Sequence, residues 1–171
     1  MDRFDVIQLI VRVVIGFTIV AHGYNHVWGP GGIQGTARWF ESIGLKPGIV
    51  NAWASGINEL ATGSALMLGL LTSLDCAGIV AVMVVAGITN HRQHGFFIFR
   101  EGYEYVMVLA VVALGIGVYG PGKYSLDRAL KIDDNLDGTT AVVLILVLGI
   151  GGALALLATS WRPVKKDKEA A

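Results

Sequence analysis

Three ionisable residues, Arg12, Glu59 and Glu104, fall inside stretches that are otherwise apolar. A charge in such a setting costs at least about 2.5 kcal/mol on membrane-insertion scales, so each one implies a partner or a task. Arginine holds its proton, which makes Arg12 a fixed cation and donor, whereas Glu59 and Glu104 can take up and release a proton. Asn58 precedes Glu59, and Tyr103 and Tyr105 flank Glu104. With His22 or His94 as donors to a carbonyl group, the set Arg12, His22, Asn58, Glu59, His94, Tyr103 and Glu104 reads as a polar pocket open to one side.

The histidines allow a second chemistry. His22 and His26 stand four residues apart and His91 and His94 three apart, so each pair shares a helix face. Four imidazoles at one membrane level could bind copper, zinc or a haem iron. Ordinary interfacial hydrogen bonding is the commoner use of such residues, and no cysteine ligand lies nearby. Cys76 is the single cysteine, so the chain alone has no dithiol with which to relay electrons. Gly115-Ile116-Gly117-Val118-Tyr119-Gly120 fits the dinucleotide fingerprint but follows a hydrophobic span rather than a strand, and its glycines suit packing and helix termination.

The elements that must hold these residues are membrane helices. Of 171 residues, 54% are hydrophobic and only 15% charged, against roughly 25% charged in soluble domains. The balance of 13 basic and 13 acidic residues gives no basic field to gather nucleic acid. Five segments are apolar enough for spans: about 6–27, 50–71, 73–90, 102–119 and 139–161, the third and fourth being short. The acidic start Met1-Asp2-Arg3-Phe4-Asp5 reads as the flank of a retained first span. The tetrapeptide Thr72-Ser73-Leu74-Asp75 reads as a tight turn joining two antiparallel neighbours. The stretch from Thr36 to Gly44 reads equally as a short interfacial helix or as a plain loop.

The segment from Gly120 to Gly138, with Lys123, Asp127, Arg128, Lys131, Asp133, Asp134 and Asp137, reads as a water-exposed linker that separates the fifth helix from the rest. Gly149, Gly151, Gly152, Ala153 and Ala155 in that helix allow close approach of another helix, within the bundle or from a partner or second copy. Outside the spans, eight basic residues lie on the side of the C-terminal tail against four on the other, which favours a cytoplasmic C-terminus.

This topology gathers the histidines, Glu101 and Glu104 at one interface. Counted along the helices, Glu59 lies roughly 12 Å below it and Arg12 roughly 15 Å below His22, which predicts an Arg12–Glu59 ion pair. Such a pair serves a pocket or merely fixes helix register, and the residues leave both open.

The order of these polar residues resembles that of the DoxX family of small bacterial and archaeal membrane proteins. The resemblance runs from about Ile10 to Leu130. It rests on Arg12 with Gly16, His22-Gly23, Asn58-Glu59-Leu60 with Gly63, Leu68-Gly69-Leu70, His94-Gly95-Phe96, Gly102-Tyr103-Glu104-Tyr105 and Gly120-Pro121-Gly122-Lys123-Tyr124-Ser125-Leu126-Asp127. His26 stands where many members carry lysine, and the fifth span is additional to the family's four. The resemblance implies an all-α integral membrane bundle: a four-helix domain over 1–131, a linker and additional helix over 132–161, and a charged tail over 162–171.

The family's namesake resembles a membrane subunit of thiosulfate:quinone oxidoreductase, and actinobacterial relatives are linked to thiol and oxidative-stress defence. The resemblance therefore implies a redox-associated subunit of the bacterial cytoplasmic membrane that takes a quinone in the pocket and works with other membrane or redox subunits. A non-catalytic accessory or scaffolding role is the alternative. Transport is weaker, because the opposite side offers no matching charges and no inverted repeat is visible.

Overall fold

In soluble helices the apolar stripe is buried; here the first helix is inverted. Over Arg3–Trp28 (α1) the buried positions are Gln8, Arg12, Gly16, Ile19, Gly23 and Val27, while Phe4, Ile7, Ile10, Val14 and Phe17 are each more than half exposed. Small and polar residues turned inward with large apolar ones outward suit a hydrocarbon solvent, in which close packing and hydrogen bonds, rather than apolar burial, join helices.

The computed structural model describes residues 3–132, 136 and 138–164. Among the described residues there is no strand, only helices and one isolated bridge. After α1 come α2 (Gly32–Ser42), α3 (Gly48–Leu68) and α4 (Thr72–Ala86), which continues through a π turn (Gly87–His91) and a 3-10 turn (Arg92–His94). Then follow α5 (Glu104–Tyr119), the short α6 (Leu126–Ala129), α7 (Gly138–Ile145) and α8 (Gly151–Ser160), the last two joined by a π turn. The segment from Thr36 is therefore helical. Asp133, Asp134, Asp137 and most of the tail lie outside the described residues.

Three helices are long and apolar enough to cross a membrane: Arg3–Trp28, Thr72–His94 and Gly138–Ser160. Five were expected. Of the other two, Gly48–Leu68 has 21 residues but carries Asn51, Ser55, Asn58, Glu59 and Thr62. Glu104–Tyr119 is apolar but has only 16 residues, about 24 Å against a hydrocarbon core near 30 Å. Both lean on their neighbours. The result is an all-α membrane bundle.

Glycines set the register between α1 and α3. A Cβ on Gly16 would stand 2.6 Å from the Gly63 carbonyl, and one on Gly63 would stand 2.7 Å from the Gly16 carbonyl. Gly23 lies equally close to Leu60 and Gly56. These backbone contacts run the two helices antiparallel, with Gly23 beside Glu59 and Arg12 beside Leu66 and Gly69.

The reverse turn after α3 is Gly69-Leu70-Leu71, so Thr72 to Asp75 form the first turn of α4 instead of a loop. What starts the helix early is a distant carboxylate. Asp127 Oδ1 accepts from the Leu71 N–H at 2.6 Å, and Oδ2 accepts from the Thr72 N–H and hydroxyl at 3.0 and 2.8 Å. Asp127 in turn donates its own N–H to the Gly69 carbonyl at 2.8 Å. The first half of the expected water-exposed linker is thus folded onto the bundle, with Asp127 itself buried. Nor does the linker set the last helix apart. Ile145 is buried in one core with Ile79, Ala113 and Ile116, and Gly149 sits against Ala77 and Val80.

At the opposite end, Arg162 donates its N–H to the Gly44 carbonyl and Trp161 its indole N–H to the Ile43 carbonyl. These bonds tie the end of α8 to the link between α2 and α3. Replacing Asp127 with alanine strands two helix N–H groups and a hydroxyl and removes a carboxylate whose field acts on Arg12, a loss expected on the order of 3 kcal/mol, with Asn less damaging because it keeps an acceptor. Chemical denaturation in micelles measures this, and an unchanged midpoint in Asp127→Ala would contradict the assignment.

Candidate functional site

Arg12 and Glu59 lie at different depths of the bundle. Arg12 is fully buried and donates to the carbonyls of Leu66 and Tyr124. Asp127 is the carboxylate that acts on it electrostatically. Its guanidinium presses on Gly69, whose positive φ and missing side chain are both required, because a Cβ would overlap the Arg12 Nη1. Glu59 lies ten residues earlier on α3, about 15 Å away along the helix. The Arg12–Glu59 pair expected from the sequence does not form. The count from the helix ends took His22 as the mouth, but α1 runs on to Trp28 and the glycine register brings His26 to Glu59.

Glu59 is only 3% exposed, which makes its surroundings decisive. Ser55 donates to Oε1 at 3.0 Å, and the His26 Nε2 stands 3.6 Å from Oε2. That separation pairs charges but is longer than a hydrogen bond, so Oε2 has no hydrogen-bond partner. The His26 ring is stacked on Trp39 and meets Phe40 edge-on, both from α2. Thr36 of α2 donates to the His26 carbonyl at 2.8 Å. The interfacial helix therefore roofs the site.

Below this roof is a cavity of about 300 Å³ between α1, α3, α4 and α8. Its polar side chains include His26, Ser55, Asn58 and Glu59 on one wall and Thr89, Asn90 and His91 on the other. Three consecutive residues of α4 reach it because they sit in the π turn, where the wider helix changes the angular step. The fifth helix, read as an addition, closes the third wall with Gly152, Ala153 and Leu156.

Of the residues expected in the pocket, Asn58 and Glu59 line it, joined by His26 and His91 from the histidine set. The others lie elsewhere. His22 is exposed, its ring 6.2 Å from Tyr105. Tyr103 lies edge-on to Phe96, and His94 does not line the cavity. The four imidazoles do not converge, and no three His, Cys, Asp or Glu side chains among the described residues stand close enough to hold a metal ion. The sequence reading missed Trp39, Phe40, Asn51, Ser55, Thr89 and Asn90. Trp39 and Phe40 were visible as aromatics of an amphipathic stretch, whereas the serine, threonine and asparagines carried no signal.

A DoxX family model matches residues 7–92. The chain belongs to the DoxX family. An uncharacterized membrane protein of Mycobacterium tuberculosis, Rv3486, is 30% identical over 133 residues, covering 71% of this chain and 79% of that protein. An uncharacterized protein of Haemophilus influenzae is 26% identical over 102 residues, covering 55% of this chain and 68% of that protein. No solved structure matches.

The matched region of this DoxX protein carries both Arg12, at the turn after α3, and the His26–Glu59 pair, about 15 Å away along α3. Glu104 lies beyond the match and does a separate job. The loop from Gly95 to Tyr103 exposes Phe97, Ile98 and Phe99 together with Arg100 and Glu101, a mixture suited to the membrane interface. Its backbone finds several partners within the protein. Glu104 Oε2 accepts from the Ile98 N–H at 2.9 Å, His91 Nδ1 bonds the Glu101 carbonyl at 2.7 Å, and the N–H groups of Arg100 and Gly102 both reach the Phe97 carbonyl.

Loss of the Glu104 acceptor in Glu104→Ala is expected to speed amide exchange across residues 97–102 by about tenfold, while Glu104→Gln, which keeps an acceptor, stays near wild type. Hydrogen exchange by mass spectrometry reads this, and equal protection in the alanine variant would contradict the role.

Proposed function

We propose that the cavity is the binding site for the head group of a quinone or similar lipid-soluble carbonyl compound, in a redox-associated membrane subunit. The observation that carries the reading is the buried Glu59 carboxylate, held by Ser55 and His26, with one oxygen left for a ligand inside an otherwise largely apolar cavity. Ligand sites commonly combine apolar walls with a few fixed polar groups, and about 300 Å³ is at the small end of their range, enough for one substituted ring. The residues present fit such a group.

His26, oriented between Trp39 and Phe40, donates to a carbonyl oxygen. Asn58 and His91 supply further hydrogen bonds, and the largely apolar walls keep water away from the ring. Glu59 holds a proton at Oε2 or releases it toward the mouth through His26. A bound quinone supplies reversible two-electron, two-proton chemistry. A protein partner supplies the electrons, since the chain has one cysteine and so no dithiol. Bacterial relatives and the distribution of basic residues support a location in the cytoplasmic membrane with the C-terminus inside.

Thermal unfolding in micelles tests this. A short-chain benzoquinone at a hundredfold excess over its Kd is expected to add about 2.7 kcal/mol of stability. Glu59→Ala and His26→Ala are expected to lose that gain. An unaltered midpoint up to the solubility limit of the quinone would overturn the reading.

The accessory-subunit reading retains one specific support. A Cβ at Gly151 meets nothing within 4 Å, and Ala155 is exposed, so this face of α8 is open among the described residues. If partner assembly is the whole role, Gly151→Leu with Ala155→Leu shrinks the complex isolated in mild detergent, and the quinone shift above is absent.

A further inference from the structure

The cavity is too small to hold both a ring and a long chain, and its shape shows where a chain would leave. Three of its lining residues are exposed: Trp39 in the roof, Ala54 on α3 and Gly152 on α8. The last two belong to helices that both pack on α4, whose Ala81 and Val85 also line the cavity. Ala54 lies six residues in from the start of α3 and Gly152 eight residues in from the end of α8, about 9 and 12 Å below the mouth end of their helices. That depth is hydrocarbon. His26 packs beside Gly56 and meets Glu59, so the polar site lies at about the same depth, and the edges of the cavity at that level include two small residues, Ala54 and Gly152.

We propose that the cavity takes a single-chain amphiphile, with its polar ring between His26, Glu59 and Asn58 and its chain lying over Ala81 and Val85 and leaving into the bilayer between Ala54 and Gly152. Access is then from the membrane and not from water, beneath the roof formed by α2. The proposal rests on the quinone reading for the identity of the head group, and adds to it the chain and the opening through which the molecule passes.

The glycines of α8 supply a matched pair of variants. A Cβ meets nothing within 4 Å at either Gly151 or Gly152, so a side chain can start from both without a backbone clash. Only Gly152 lines the cavity. Affinities are measured on the whole chain in micelles for two probes: a dimethoxy-methyl-benzoquinone, and the same ring carrying a decyl chain. In the wild type the decyl compound is expected to bind about tenfold more tightly or better, since seating even two methylenes against protein suffices for that ratio.

Gly152→Leu is expected to abolish the chain-dependent gain, bringing the ratio of the two affinities to within about twofold of one, and Gly151→Leu to leave that ratio as in the wild type. A gain that persists in Gly152→Leu, or equal binding of both probes to the wild type, overturns the chain path and leaves the head-group site standing. Failure of both probes to bind overturns the quinone reading, and the chain path with it.

Discussion

A guanidinium sealed inside a membrane bundle dictates much of this structure. Arg12 is fully buried and meets no direct ion-pair partner among the described residues. Its two terminal nitrogens instead donate to backbone carbonyls, and the field of Asp127 acts on it. That solution has consequences along the chain. The turn after α3 must pass over the guanidinium with no side chain in the way, which Gly69 permits. The loop after α5 must return to deliver the Tyr124 carbonyl and the Asp127 carboxylate. Asp127 then starts α4 at Thr72, so a single acidic residue serves the arginine and caps a helix whose positive N-terminal dipole favours it.

Because Arg12 is engaged at the turn end, Glu59 is left to a different environment. The α1–α3 interface is drawn tight by Gly16, Gly23, Gly56 and Gly63, and its register separates the two charges by roughly three helical turns. One polar layer holds the bundle together, and the other faces a cavity with a vacant acceptor. Roof and walls come from five helices, α1, α2, α3, α4 and α8, and the last helix belongs to the site as one of its walls.

Much of the architecture was legible in the sequence. The long helices follow from runs of apolar residues, and Arg12, Glu59 and Glu104 stand out by the cost of charged groups in hydrocarbon. Which of them meet was not legible. Axial register between α1 and α3 depends on backbone contacts at glycines, and counting residues from helix ends misplaces a side chain by a turn or more. The direction of His91 depends on a π turn that a regular 3.6-residue period cannot reveal. The role of Asp127 was hidden for another reason: a loop rich in glycine and charge reads as solvated, and only the demand of a distant buried arginine and two unpaired helix N–H groups draws it inward.

The central claim is that Arg12 and Glu59 belong to separate layers, and double-mutant cycles on unfolding free energy test it most directly. Arg12→Ala is combined with Asp127→Ala in one cycle and with Glu59→Ala in another. Contacting charged groups couple by about 0.5–3 kcal/mol, whereas sites farther apart than about 10 Å add within roughly 0.5 kcal/mol. The structure predicts coupling of at least about 1 kcal/mol between Arg12 and Asp127 and additivity between Arg12 and Glu59. Strong coupling between Arg12 and Glu59, with additivity between Arg12 and Asp127, would contradict it.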